Sequence, residues 1–386
     1  MNAPFSGRTG PSQPNRIALA QAQAVARGQA PIPLNDSNPT RHGLTLDSLP
    51  GVYRAEPRGP IELRLELARF LGQRGTPVDP DDLYLLSSTS QAYSWLMKLL
   101  CDAGEAILEP RPGYPLIESI ARLECVQALP YQLNYDGSWT IDLAGVRTAL
   151  DGPDGARIRA IVLINPNNPT GSYLHPQERE ALIGLARSRG LAIIADEVFF
   201  DYQLDPLPGR RRLAGEEGAL TFALDGLSKM LAAPQAKLGW IQVSGPAEQV
   251  AQAKARLDLI ADDYLPMSQL ISQAAPGLLA QASAQSERVR DRCVGNLRYL
   301  GQALDGRPIS LLRAEGGWNV LLRFPAVIDE TELVERLIEG YGYSGQPGYF
   351  FDMPSNGYLA LSLLPEPQDF RAGLEAIISA VDDLLG

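Results

Sequence analysis

Four short runs in this sequence carry side chains whose types could do chemistry together. They are Ser88-Thr89-Ser90, Asn165-Pro166-Asn167-Asn168-Pro169-Thr170-Gly171, Asp196-Glu197 and Ser228-Lys229. An amine can hold a carbonyl as a Schiff base, a carboxylate can keep a nitrogen base protonated, and hydroxyls at the head of a helix can hold a phosphate. Taken singly, each run has an ordinary reading: a helix cap, a turn, an acid capping a turn, a solvated lysine. What sets them apart is that each follows an apolar run of strand character, in the order an α/β site requires.

Those runs alternate with helical patterns from about residue 45. Expected strands are Leu83–Leu86, Ala106–Leu108, Ile158–Ile164, Leu191–Ala195, Leu220–Leu224 and Leu238–Val243. Between them, helices are expected over Ile61–Leu71, Gln91–Leu100, Leu116–Leu123 and Pro176–Arg189, the last ending at Gly190 as a C-cap. Continuous apolar strands separated by helices predict an α/β fold with a mostly parallel sheet covered on both faces. Ligands of such sheets sit at the carboxyl ends of the strands. Further on, the pattern predicts a helical stretch from about Ala247 to Leu304 and strand-like segments at Ile309–Leu312 and Asn319–Arg323. A helix over Glu330–Gly340, short strands near Tyr349 and at Leu359–Leu363, and a last helix over Phe370–Leu385 follow. This reads as a smaller α+β domain. The expected division is 1–44 as an N-terminal arm packing on the small domain, 45–265 as the large domain and 266–386 as the small one. Within the arm, a helix is expected near Ile17–Ala26 and an extended stretch over Pro31–Pro39.

Composition narrows the function. The 386 residues are 45% hydrophobic and 20% charged, enough to bury a sizeable core. A formal charge of -11, from 45 acidic against 34 basic side chains, disfavours nucleic acid and anionic membranes as partners. Cys101, Cys125 and Cys293 are scattered, and only His42 and His175 are present, so neither a disulfide framework nor a metal site is expected. The first residues hold no apolar signal core and no run is long enough to span a membrane, so a cytoplasmic protein is expected.

With these runs in place, the sequence resembles the fold-type I pyridoxal-phosphate enzymes, specifically the class I/II aminotransferases. The resemblance rests on Asn165 to Gly171, on Asp196-Glu197-Val198-Phe199, on Ser228-Lys229 and on Lys237-Leu238-Gly239-Trp240. Asp196 stands 28 residues beyond Asn168, and Lys237 eight beyond Lys229. It implies pyridoxal 5'-phosphate as cofactor, held as an internal aldimine on Lys229, which would also move the substrate Cα proton. It implies that Asp196 keeps the pyridine nitrogen protonated, with its own pKa depressed by that cation, and that Asn168 donates to the ring 3-oxygen. Tyr114, in Pro112-Gly113-Tyr114-Pro115, would cover the ring. Thr89, Ser90, Ser228 and Lys237 would hold the phosphate. Tyr53 matches a tyrosine that reaches the phosphate of a neighbouring subunit, which implies a homodimer with shared sites.

The departures from the family pattern matter as much. The phosphate-side arginine is Lys237, which keeps the charge and loses the planar fork. The tyrosine that would also donate to the ring 3-oxygen is Phe199, and a serine two residues before Ser228 is Gly226. The arginine that forks the substrate carboxylate is replaced by Ala360, in Tyr358-Leu359-Ala360-Leu361-Ser362. Arg41, Arg16 and Arg313 are candidate replacements. Arg41 is the best placed, because Asn38-Pro39-Thr40-Arg41 matches the segment lining the family's substrate pocket, so Asn38 and Arg41 are expected to bind substrate. Trp318 is either a pocket wall or core, His42 could approach the substrate, and His175 reads as a surface residue.

The resemblance implies a ping-pong aminotransferase moving an amino group between an amino acid or amine and an oxo acid. A lyase, racemase or decarboxylase on the same fold is the alternative, because the usual carboxylate anchor is missing. A non-catalytic pyridoxal-phosphate sensor is a third reading. It is weakened by the acidic chain and by the absence of an added N-terminal DNA-binding segment.

Overall fold

The computed structural model describes residues 5–10, 14–29, 31, 34, 36–47, 49 and 51–386. The expected extended stretch over Pro31–Pro39 lies partly outside them. Eight strands form one sheet: β1 (Leu83–Leu86), β2 (Ala106–Arg111), β3 (Gln127–Tyr135), β4 (Trp139–Ile141), β5 (Ile158–Ile164), β6 (Ala192–Asp196), β7 (Thr221–Gly226) and β8 (Gly239–Ser244). Their order is β1-β8-β7-β6-β5-β2-β3-β4. The run from β7 to β3 is parallel, and β8, β1 and β4 join antiparallel. The central strands are apolar along their whole length because helices cover both faces.

β3 and β4 were not foreseen. They sit at the sheet margin, where most β3 side chains face water and only Tyr131 and Leu133 are buried. Such a strand offers little apolar signal, and Pro130 in its middle argues against it.

A second sheet, ordered β11-β12-β10-β9, is antiparallel throughout and comprises β9 (Ser310–Leu311), β10 (Asn319–Arg323), β11 (Gln346–Pro347) and β12 (Tyr358–Ser362). Val320 and Leu322 of β10 and Leu359 of β12 pack with Phe370, Leu374, Ile377 and Val381, one stripe of the last helix, Pro367–Leu385. The strand expected near Tyr349 is a 3-10 turn over Gly348–Phe351. The helical stretch from Ala247 is three helices, Ala247–Tyr264, Gln269–Leu279 and Ala282–Ala303. The first break falls at Leu265, in left-handed conformation ahead of Pro266, a position where proline disfavours continued helix.

Two expected boundaries need correction. Helix Gln269–Leu279 packs through Ala275 and Leu279 on Leu63, Leu67, Leu227 and Trp240, so it belongs with the large sheet and the division falls beyond residue 266. The start of the arm also docks on the large-sheet side. The Ser6 hydroxyl donates to Asp102 at 2.6 Å, Arg8 donates to the Cys101 carbonyl at 2.6 Å, and Arg256 donates to the Thr9 carbonyl at 2.7 Å. Helix Arg16–Ala26 buries none of its residues, so no apolar face ties it to the small sheet.

The two sheets meet behind the Asn-rich run. Gly171 accepts from the N–H groups of Glu315 and Gly316 at 3.0 and 2.8 Å. It has φ +70°, and a Cβ there would stand 2.7 Å from Ala314 Cβ and 2.8 Å from the Gly316 carbonyl, so only glycine fits. Glu315 is buried, accepts from Tyr173 N–H at 3.0 Å and pairs with His175 Nε2 at 3.1 Å. His175 is therefore part of this junction and not a bare surface residue. Its pKa is raised, first by the bond to Glu315, so the contact is strongest below that raised pKa and weakens as pH climbs through it.

Beneath the strand ends lies a buried ion cluster. Arg212 bonds Asp225 at 3.1 Å and Asp201 at 3.1 Å, and Asp201 also meets Arg74 at 2.6 Å. Burial pushes the Asp225 carboxyl up to about 7 despite Arg212. Removing Arg212 would leave buried Asp225 with no cation, while Asp201 would keep only Arg74. Arg212→Ala is expected to lower unfolding free energy by about 3–5 kcal/mol, measured by urea denaturation.

Candidate active site

A cavity of ≈ 510 Å³ opens at the carboxyl ends of the parallel strands. Thr89, Ser90, Tyr114, Asn168, Asp196, Ser228, Lys229, Lys237 and Trp318 all line it, so nine of the residues singled out from sequence meet in one place. Each reaches it from a strand end. β1 leads to Thr89 and Ser90, β2 to Tyr114, β5 to Asn168, β6 ends at Asp196, and β7 leads to Ser228 and Lys229.

At one end stands helix Thr89–Leu100, whose first-turn N–H groups have no partner inside the helix. Ser88 caps it by accepting from Gln91 N–H at 3.2 Å, which leaves the Thr89 and Ser90 hydroxyls to face the cavity. β8 approaches closely because residue 239 is glycine: a Cβ there would lie 3.4 Å from Thr89 N. Lys237, just before it, is exposed and turned by a left-handed backbone, φ +47°. Hydroxyls, N–H groups and an ammonium together form a donor set suited to a phosphate dianion.

Asp196 ends β6. Successive strand residues point to opposite faces, so Asp196 turns to the cavity while Glu197 turns away. Glu197 accepts from Leu213 N–H at 2.8 Å and Asn165 Nδ2 at 3.1 Å, a structural role. Asp196 accepts from Val198 N–H at 3.3 Å and from the Tyr93 hydroxyl at 3.0 Å. Its pKa is not depressed as expected. Burial is the largest influence and raises it to about 6, Glu197 adds to this, and the two donors and Lys229 oppose without prevailing. The expected depression assumed a cation against the carboxylate, and the protein's own groups provide none at contact. Tyr93 was missed. Its signal was position: four residues after Thr89, it lies on the same helix face.

Lys229 lies in the one-turn helix Leu227–Met230. Its Nζ stands 5.6 Å from the Phe199 ring centre and 5.4 Å from that of Trp318. Burial lowers its pKa and Asp196 partly opposes this, so more of it is free amine than in a surface lysine. Trp318 is both wall and core: it stacks edge-on with Phe199 and Tyr202 at 5.2 and 5.0 Å, and its buried Nε1 has no partner.

The asparagines of the Asn165–Gly171 run divide their work. Asn167 Nδ2 donates to the Pro112 carbonyl at 3.0 Å, tying this run to the loop that carries Tyr114. Asn168 Oδ1 accepts from Asn319 Nδ2 at 2.8 Å, which leaves the Asn168 amide N–H groups for the cavity. Asn319 was not singled out from sequence, since its partner comes from the other sheet.

Three expected residues stand apart. Tyr53 is 44% exposed and lines a separate surface cavity with Glu56, Leu63 and Met267. Asn38 caps a short turn by accepting from Thr40 N–H at 3.1 Å and donates to the Tyr53 carbonyl at 2.8 Å. Arg41 is exposed and pairs with Asp36 at 3.4 Å, and His42 approaches the same acid. Arg313 is held by Asp205 at 2.8 Å, and Arg16 lies on the exposed helix Arg16–Ala26. Among the described residues no group of three or more potential metal ligands occurs, and no helix is long and apolar enough to cross a membrane.

Over residues 55–377 the chain matches the family of class I and II aminotransferases. It belongs to that family. The glutamate-pyruvate aminotransferase AlaA of Haemophilus influenzae is 26% identical over 265 residues, 65% of each chain, so the match spans just under two thirds of that relative. An alanine aminotransferase of Mycobacterium bovis is 25% identical over 78% of this chain and 70% of its own. The fold matches an alanine aminotransferase of Pyrococcus furiosus with TM-score 0.77 at 20% identity, over 96% of this chain and 88% of that one. It also matches cystalysin of Treponema denticola, a structure that contains pyridoxal 5'-phosphate, with TM-score 0.76 at 16% identity, over 86% and 85%. The α/β fold of type I expected from sequence is thus the fold of this class I/II aminotransferase. Its cavity fits the family's cofactor, with a phosphate cradle at one end, a buried carboxylate with no cation of its own and an amine between.

Burial makes it unfavourable for the protein's own groups to hold Asp196 ionised. A pKa raised from 3.8 to about 6 corresponds to roughly 3 kcal/mol. The raised folded-state value means this stabilising share is present at low pH and lost as pH rises from about 4 to about 6. Cofactor-free Asp196→Asn should therefore be more stable than cofactor-free wild type at pH 7 and lose the advantage near pH 4, as read from urea unfolding at both pH values.

Proposed function

We propose that the chain works as a ping-pong aminotransferase in which Lys229 is the catalytic amine and base and Asp196 the carboxylate partner of the ring nitrogen. The observation that supports this most is that Lys229 and Asp196 meet in one cavity whose far end is built for a phosphate. Pyridoxal phosphate, when bound, supplies a reactive aldehyde and an electron-accepting ring.

The chain's own groups supply the rest. Thr89, Ser90, Ser228 and Lys237 hold the phosphate. Asp196 keeps a proton on the ring nitrogen, and the Tyr93 hydroxyl fixes which way its carboxylate faces. Asn168 donates to the ring oxygen and is aimed by Asn319, because Phe199 has no hydroxyl to share that task. Tyr114 covers one ring face. Lys229, whose pKa burial lowers, would hold the aldehyde and then carry the proton from the donor carbon. Tyr53 lies outside this cavity in its own chain, which agrees with a homodimer in which it reaches the partner's phosphate site. A cytoplasmic location fits the acidic, scattered-cysteine chain. The alternative lyase, racemase or decarboxylase chemistry would use the same amine and carboxylate.

Lys229→Ala should abolish both the visible absorbance of bound cofactor and turnover, while pyridoxal phosphate is still retained weakly through its phosphate. Full activity in that variant would sink the assignment. A wild-type cofactor band that no amino donor converts in the absence of acceptor would favour the alternative chemistries. Asn319→Ala removes one hydrogen bond of about 1 kcal/mol, so kcat should fall about fivefold. The pH midpoint of the cofactor's visible band should move upward, a change that a merely structural role for Asn319 would not produce.

A further inference from the structure

The place of the family's carboxylate-binding arginine is open. β12 puts Tyr358, Ala360 and Ser362 on one face. Across from Ala360 lie Leu321 of β10 and Gln346 of β11, and Asn319 faces Ser362. A second cavity of ≈ 440 Å³ adjoins this corner, walled by Ala360, Ser362, Tyr343, Asp369 and Phe370. Asn319 and Gln346 line both cavities, so the two adjoin across those amides.

The charges along this path are one-sided. The first cavity holds Lys229 and Lys237, the only cations lining either space among the described residues, and the reading above assigns both to the cofactor. The second holds Asp369 as its only ionisable acid or base besides tyrosine. None of the candidate arginines lines either cavity: Arg41 pairs with Asp36, Arg313 with Asp205, and Arg16 lies on an exposed helix. A substrate carboxylate arriving beside Ala360 would lose water, find only neutral amides, and meet an acid further in. Unpaired charge in a half-buried site and like-charge contact both oppose its binding. A neutral or cationic group faces no such penalty, because amide oxygens and a carboxylate are what it needs.

Resting on the aminotransferase reading, we propose that the natural amino donor is a primary amine without an α-carboxylate. Its substituent occupies the chamber bounded by Asn319, Gln346 and Ala360. The transfer balances without any outside oxidant. The donor carbon loses its proton to Lys229 and ends as a carbonyl whose oxygen comes from water. Its nitrogen and that proton pass to the cofactor carbon, whose aldehyde oxygen has already left as water. The donor carbon is oxidised as the cofactor carbon is reduced.

The test uses the full chain loaded with pyridoxal phosphate and matched donors differing only by a carboxylate: phenylalanine against phenethylamine, lysine against cadaverine. Half-saturation is read from conversion of the visible band without acceptor. Binding of the unreactive acids benzoate and phenylacetate is read separately by calorimetry. The expected result is that each amine half-saturates at a concentration on the order of tenfold or more below its amino acid. Ala360→Arg should reverse that preference and create binding of the acids. If Ala360→Arg does not fold, Gln346→Lys, at an exposed position, should shift the same ratio. Preference for the amino acids in wild type, abolished by Arg41→Ala, would overturn the proposal and return carboxylate binding to Arg41. Preference for the amino acids unaffected by Arg41→Ala would overturn it too. A protein that shows no cofactor band would fail the aminotransferase reading itself, a different and separately visible result.

Discussion

A carboxylate buried at the end of a parallel strand with no cation against it is the constraint on which this site is arranged. Asp196 is fixed by β6, faced into the cavity by strand alternation and held by the Tyr93 hydroxyl and Val198 N–H. Burial outweighs both donors. A fold tolerates such a group when something else settles the charge, and in the function proposed above a protonated ring nitrogen would do so. The neighbouring residue shows the contrast. Glu197, which is more deeply buried, is satisfied by two backbone N–H groups and Asn165 Nδ2, and needs no ligand. Two adjacent acids on one strand end thus divide into one that builds the protein and one that awaits a partner.

Much of the architecture was legible because the central strands are apolar from end to end and the motifs follow them directly. Ile158–Ile164 and Asn168, or the end of β6 and Asp196, are read from contiguous sequence. What was not legible was long-range. Tyr93 reaches Asp196 across 103 positions and Asn319 reaches Asn168 across 151; helical spacing puts Tyr93 on the face of Thr89 but does not name its partner, and nothing local announces Asn319. The polar margin strands β3 and β4 escaped for the opposite reason, since water covers the face that would have shown a period. Helix Gln269–Leu279 was placed on the wrong side because its apolar face looks the same whichever sheet it packs against. The N-terminal segment with Asn38, Arg41 and Tyr53 matched by motif, yet in a single chain none of the three lines the cavity of Lys229 and Asp196.

The junction of the two sheets has few parts. Gly171 allows backbone contact with the segment Ala314–Gly317, and Glu315 is pinned by Tyr173 and His175. That segment leads directly into Trp318 and Asn319, so both reach the cavity from an anchored base. Replacement of an arginine by Ala360 then leaves Asn319 as the polar contact made to Asn168 from that side.

The Asn168–Asn319 bond has one more consequence. It runs from a loop of the large sheet to the first residue of a strand in the small one, so it measures the separation between them. Any rocking of the small sheet that lengthens it frees the Asn168 amide to turn, and with Phe199 silent no second donor compensates. The aim of the Asn168 amide is thereby tied to how closely the two sheets sit, making that one bond a gauge of the spacing at the cavity.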